Sequence, residues 1–273
     1  MRKIVSFVVC ICMAPALQAQ PAWLPAAKYQ TTGTYSLHFQ HAFTPQQNQA
    51  ALAHITTITA GIHAERRFMI NAMNTYTATV AVPISTGTFG LTAQQYGFTA
   101  YKEQKIALAY GRRLGTKISI GLQLDYLSRS IPTYGAASTV TAEAGILFHI
   151  NNSWHAGLHT INPAAQQIGA TREPLPSIWS AGIGYEASRN CLLSAEVVKE
   201  QTQPLNARAM LEYRIVQPLA IMLGISTTPQ LNTAAVDCSW ESLRLRISAS
   251  YHPILGITPG LTIIWQQKRK IAG

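Results

Sequence analysis

Charge is scarce in this sequence. Only 12% of its 273 residues are Asp, Glu, Lys or Arg, about half the share usual in a water-soluble domain. The deficit is not made up by long apolar runs. Although 48% of the residues are hydrophobic, nothing after the N-terminus reaches the roughly 18 consecutive apolar residues that mark a membrane-crossing helix. A soluble domain and a helical membrane protein are both poor matches. Chemical signatures are missing too. No G-x-S-x-G, H-E-x-x-H or phosphate-binding loop occurs, so an enzyme of those classes has nothing to build on, and the chain is read as a non-enzyme without cofactor. Of the four cysteines, Cys10 and Cys12 lie in the N-terminal apolar run. Cys191 and Cys238 lack metal-ligand spacing. They are either a periplasmic disulfide or two isolated thiols.

What is present begins with an export signal. Met1-Arg2-Lys3 supplies a basic start, Ile4 to Met13 an apolar core, and Ala14 to Ala19 a small-residue cleavage region, the build of a secretory signal peptide. Residues 1–19 are therefore assigned to the signal, cut after Ala19. The alternative is a membrane-tethered N-terminus. The formal charge is +10, two less without Arg2 and Lys3. A basic balance often accompanies nucleic-acid binding, but export argues against that partner. Outer-membrane lipid and the phosphates of lipopolysaccharide fit better, as do Arg–Glu pairs inside a lumen.

Four segments alternate cleanly between apolar and polar residues, the period of a strand with two unlike faces. From Lys117 to Leu127, the residues Ile118, Ile120, Leu122, Leu124 and Tyr126 oppose Ser119, Gly121, Gln123 and Asp125. The same split recurs over 139–149, 205–215 and 242–251. Looser reading extends it to strands near 55–67, 75–83, 87–97, 103–112, 117–128, 138–149, 153–161, 176–187, 190–200, 204–215, 218–227, 231–238, 242–252 and 257–266. The prediction is an all-β fold, a transmembrane antiparallel β-barrel of about fourteen strands over residues 55–267, an even number as single-chain bacterial barrels have. Tight turns such as Ser85-Thr86 and Asn151-Asn152 alternate with longer joins near 68–74, 98–102, 129–137 and 162–175, which places both ends of the barrel on the periplasmic side. A soluble β-sandwich also alternates; here Gly, Ser, Asp, Glu and Arg on the polar face suit a wet lumen better.

Residues 20–54 break the pattern. The run from Phe43 to Ala53 is a polar turn leading into small residues, read as a hatch entering the barrel, with Asn48, Gln49 and Leu52 as its candidates, or as a periplasmic tail. Residues 268–273 form a basic C-terminal tail beyond Trp265.

Asn48-Gln49-Ala50-Ala51-Leu52-Ala53 resembles an element that precedes the first strand in the PorV/PorQ family of Bacteroidota outer-membrane proteins, which is related to the FadL fatty-acid transporters. Gly87-Thr88-Phe89-Gly90-Leu91, Leu108 to Gly115, Asn162-Pro163, Leu175-Pro176 and Tyr251 to Pro259 are similar in order and spacing. Ala51 departs from the family's glycine, and the chain lacks large external loops. The resemblance implies a fourteen-stranded FadL-like barrel in the cell outer membrane. It further implies a role in type IX secretion, as a binding or scaffold component with secretion-system proteins as partners, or, alternatively, the movement of a hydrophobic ligand across the membrane.

The lumen-facing polar candidates are Lys105, Asp125, Glu143, His155, His159, Glu196, Arg208, Glu212, Arg214, Arg244 and Arg246. His155 and His159 share a face, but a metal needs a third converging ligand, so structural roles are expected. Glu196, Glu212, Arg208 and Arg214 are expected to form a buried charge ladder, and Arg66-Arg67 either to meet lipopolysaccharide phosphates or to lie in a solvated turn. If the chain is a transporter, an apolar pocket beside the hatch and a lateral opening at Gly87 to Gly97 are expected.

Overall fold

A computed structural model describes residues 33–133 and 135–268. The expected signal peptide, the first part of the 20–54 segment and the last five residues of the expected tail lie outside them. Fourteen antiparallel strands close into a barrel. They are β1 (Thr59–Arg66), β2 (Asn74–Ile84), β3 (Gly87–Phe98), β4 (Tyr101–Leu114), β5 (Ile118–Ile131), β6 (Gly135–His149), β7 (Trp154–Ile161), β10 (Ile178–Ser188), β11 (Cys191–Glu200), β12 (Asn206–Val216), β13 (Leu219–Thr227), β14 (Gln230–Trp240), β15 (Leu243–His252) and β16 (Gly256–Gln266). Two short strands, β8 (Gln167–Ile168) and β9 (Glu173–Pro174), pair with each other between β7 and β10. Closure comes from β1 against β16, in register from Thr59↔Gln266 to Glu65↔Gly260. With no free edge, backbone N–H and C=O groups are paired within the wall, the condition for a sheet surrounded by hydrocarbon. No described helix is long and apolar enough to cross a membrane.

The faces follow the sequence alternation. On β5, Leu122 and Leu124 are 65% and 60% exposed on the outside, whereas Gln123 and Asp125 are 8% and 0% exposed inside. The outer face carries aromatics toward both rims. Phe89, Tyr110, Trp154, Tyr185, Trp240 and Trp265 lie toward the rim where both termini emerge, and Tyr76, Tyr126, Trp179 and Tyr251 toward the other. Such girdles sit at the membrane interfaces of outer-membrane barrels. Trp265 occupies the penultimate position of β16, facing out between Ala60 and Leu243.

The external connections are shorter than the sequence suggests. Phe98 pairs with Tyr101, and Ile131 with Gly135, so the joins near 98–102 and 129–137 shrink to tight turns. Strands β4, β5 and β6 continue past the hydrophobic band because their polar ends still pair edge to edge. The 162–175 join is not a plain loop but holds the β8–β9 hairpin. It is pinned by Asn162, whose side chain donates to the Leu175 carbonyl at 3.0 Å and accepts from the Gln166 N–H at 2.8 Å. Arg67 turns inward to Glu65 (3.2 Å) and over the Tyr96 ring, so only Arg66 of that pair stays at the surface. Cys191 and Cys238 are free thiols, on β11 and β14. Lys268 reaches Glu241 at 2.9 Å, both side chains exposed.

Candidate functional site: a plugged lumen

The segment 33–57 lies inside the barrel, at the end where β1 begins and β16 finishes. The wall makes room for it with glycine. Gly111, Gly121 and Gly145 are register partners across β4, β5 and β6. A Cβ on Gly121 would fall 2.3 Å from the Gln49 carbonyl carbon, and one on Gly145 2.0 Å from Asn48 Oδ1. A second strip, Gly157↔Gly182, crosses β7 and β10. There the Tyr35 ring packs so closely that a Cβ on Gly182 would meet it at 2.3 Å. No other residue permits that approach of backbone and ring to the wall.

Polar anchors hold the segment down. Asn48 starts a 3-10 helix (Gln49–His54), its Oδ1 accepting from the Ala50 N–H at 3.0 Å. Its amide donates across the lumen to the carbonyls of Leu158 (3.1 Å) and Ile146 (3.4 Å). Gln49 donates to Glu143 at 2.5 Å. Leu52 packs with Ile55, Ala81 and Ala109, over Gly90. Tyr35 Oη donates to Glu196 at 2.8 Å. Glu186 gathers the Ser36 hydroxyl (2.6 Å), the Leu37 N–H (2.5 Å) and the His38 ring.

The predicted lumenal residues separate into networks. Lys105 bridges Glu143 (2.7 Å) and Asp125 (3.3 Å), and His159 reaches the same Glu143 at 3.1 Å. His155 belongs elsewhere: it contacts His149 at 3.0 Å and Glu186 at 3.4 Å, and through His149 and Ser119 a chain of contacts runs to His54. The two histidines therefore share a face but not a partner, because the two-residue steps between them place them at different heights. Among the described residues no three His, Cys, Asp or Glu side chains form a metal-binding group. The expected ladder is shorter than predicted. Arg208 pairs with Glu196 at 3.1 Å, but Arg214 leaves it, donating to the His38 carbonyl at 2.8 Å and lying 4.1 Å over the Phe39 ring. Glu212 lines a cavity with Arg214 and Arg244. Arg246 grips Asp237 through two bonds of 2.5 and 2.7 Å.

Within the hatch, burial dominates the protonation of its ionisable groups. The His54 imidazole is held down to about 3, by desolvation first and then by His149, Arg113 and His155. His41 is likewise held neutral by burial and by Arg246 and Arg244. Burial and Glu196 push the Tyr35 hydroxyl well up, so it stays a donor.

Sequence reasoning missed Tyr35, Ser36, Glu186 and Asp237, and missed the meaning of the glycines. Gly121 and Gly145 were visible on the polar faces, but their alignment depends on strand register. The lateral opening expected at β3 is not present: β3 is paired with β2 and with β4 along its length. An apolar concavity of about 500 Å³, lined by Ile62, Tyr76, Ala78, Ala93 and Ile106, lies instead on the outer face of β1–β4 and β16.

Comparison with known proteins places this architecture. No protein-family model matches the sequence, and no curated protein matches it. Solved structures do resemble it. The toluene transporter TodX of P. putida superposes with a TM-score of 0.67 at 8% identity, over 89% of this chain and 98% of that one. The toluene transporter TbuX of Ralstonia pickettii gives 0.62 at 9%, over 86% and 95%, and a Pseudomonas aeruginosa FadL homologue 0.57 at 10%, over 86% and 94%. At such identities the likeness is one of fold: a closed fourteen-stranded barrel of the kind found in bacterial outer-membrane channels.

Proposed function

We propose that this protein is an outer-membrane channel for hydrophobic small molecules, gated by its N-terminal hatch. The observation that carries the reading is the hatch itself, folded inside a barrel whose fold is similar to those of two toluene transporters and a FadL homologue. The lumen also has an apolar side. Ile161, Ile178 and Val198 cluster toward the external mouth of β7, β10 and β11, and Met210, Met222 and Ala235 line the wall of β12–β14. An apolar solute would find greasy surface there, opposite the charged wall around Lys105. The test is uptake of radiolabelled toluene and oleate by a host lacking its own hydrophobic channels. Uptake of either above the empty-vector level, with the barrel present in the outer membrane, supports the reading; uptake of neither ends it.

A second reading is favoured by the close packing of the hatch against the wall. A barrel whose lumen is shut is suited to a surface role, as a binding or scaffold component of type IX secretion with secretion-system proteins as partners. The short elements similar to PorV/PorQ proteins point the same way. Deleting the gene and measuring secreted proteins alongside hydrophobic uptake separates the two readings.

A further inference from the structure

Between the hatch and the β12–β16 wall lies a polar cavity of about 560 Å³, at the rim where the termini emerge. It is a size typical of small-molecule sites, roughly 300–1,000 Å³. Among the described residues, Arg244 Nη1, His41 Nε2, His54 Nδ1 and Gln40 Oε1 are buried atoms of lining residues without a hydrogen-bond partner, and the Glu212 carboxylate lines the cavity as well. The His41 ring is oriented: its Nδ1 accepts from the Phe43 N–H at 3.2 Å, so in the neutral ring Nε2 carries the proton. Arg244 Nη1 is a donor under any condition. Two fixed donors, Arg244 Nη1 and His41 Nε2, are therefore unmatched among the described residues, although a buried donor left unmatched costs about 1–3 kcal/mol.

The charges lining the cavity favour an anion. Arg189, Arg214 and Arg244 line it, against Glu212 and Asp237. Asp237 is already taken by the two-bond pair with Arg246. By charge that leaves three arginines among the lining residues against one carboxylate, with Arg214 already donating to the His38 carbonyl. Guanidinium donors match the planar pair of oxygens on a carboxylate or phosphate.

We propose that this cavity is a binding site for a small oxyanion, a carboxylate or phosphate group, received by Arg244 and His41. This proposal does not rest on the proposed passage of a hydrophobic solute, so either can fail without the other. The experiment is isothermal titration of the full-length barrel, folded in detergent micelles, with inorganic phosphate and with succinate. Saturable binding of at least one anion is expected, weakened at least about tenfold in Arg244→Gln, as befits losing a hydrogen bond between charged groups. His41→Gln should weaken it as well, and carries the test if Arg244→Gln fails to fold. Lys102→Gln, near the opposite rim, should leave it unchanged. Absence of saturable binding by both anions, the result for a cavity holding only water, overturns the proposal. So does binding that both cavity variants leave intact.

Discussion

Placing one methyl group on the inner wall at Gly121 should dislodge the hatch while leaving the barrel standing. In Gly121→Ala the new Cβ would lie 2.3 Å from the Gln49 carbonyl carbon, 2.4 Å from the Ala50 nitrogen and 2.5 Å from the Gln49 oxygen. All three are backbone atoms, so no side-chain rotation relieves the contact. The wall is held in register on both sides of Gly121, by Gly111 and by Gly145, so the hatch must retreat by about 1 Å to reach van der Waals distance. Overpacking of this kind costs about 1–3 kcal/mol. The same retreat stretches the 2.5 Å bond from Gln49 to Glu143 beyond hydrogen-bonding range, at about 1.5–3 kcal/mol for a charged acceptor. Together the docked state should lose about 2.5–6 kcal/mol, roughly two to four powers of ten in the docking equilibrium. The readout is maleimide labelling of Ala50→Cys, a fully buried hatch position, in a background with Cys191 and Cys238 replaced by serine. Labelling should accelerate strongly in Gly121→Ala and not in Ala144→Val on the same part of the wall. Heat-modifiable migration on gels should report an intact barrel in both. If Ala50→Cys is as protected in Gly121→Ala as in its parent, the glycine strip is not what seats the hatch.

Lys105→Met strips the cation from Asp125 and Glu143, and removing one member of a buried ion pair costs about 3–5 kcal/mol. Urea unfolding in micelles should register it, and a loss under about 1 kcal/mol would mean the carboxylates are satisfied without the lysine. Tyr35→Phe deletes the donor to Glu196 and should weaken hatch docking by about 1–3 kcal/mol, visible as moderately faster labelling of Ala50→Cys. The pH dependence of docking has a definite sign. Docked His54 stays neutral down to about 3, whereas an undocked histidine takes up its proton below about 6.5. Docking is therefore independent of this group above that pH and weakens by about 1.4 kcal/mol per unit below it, about 2 kcal/mol by pH 5. Labelling should rise on acidification in the parent and more weakly in His54→Gln; equal slopes would remove His54 from the account.

The barrel was legible in the sequence because its wall is a local pattern. Alternation in Ile118 to Tyr126 names its inside and outside without knowledge of any neighbour, and the boundaries of β5 differ from expectation mainly where Arg129 to Ile131 go on pairing beyond the apolar band. Hatch chemistry is not local. Gln49 meets Glu143, and Tyr35 meets Glu196, across 94 and 161 residues. Nothing within either segment announces those meetings. Arg214 illustrates the limit: its place on the inner face followed from alternation, but its partner was sought on a neighbouring strand. The structure instead gives it a hatch carbonyl and the Phe39 ring. The glycine strip fell between the two cases, visible as residues and invisible as an alignment.

The hatch is seated unequally, and that inequality links the cavity to the gate. Residues 48–52 press on the glycines of β4–β6, and Tyr35 presses on those of β7 and β10, at distances that leave no space behind them. Toward β12–β16 the hatch faces the polar cavity instead. A sideways displacement of the hatch has room toward that cavity, whereas the walls of β4–β6, β7 and β10 block it in their directions. An oxyanion held between His41 on the hatch and Arg244 on β15 would occupy the space needed for this movement and tie the two elements together. A ligand that binds only the docked state stabilises it by RT ln(1 + [L]/Kd), about 2.7 kcal/mol at a hundredfold excess over Kd. At a hundredfold excess over Kd, phosphate or succinate should thus slow labelling of Ala50→Cys by about a hundredfold, and by no more than about tenfold when Arg244→Gln is added. Slowing of equal size in both proteins would show that the anion acts elsewhere and that the cavity does not control the hatch.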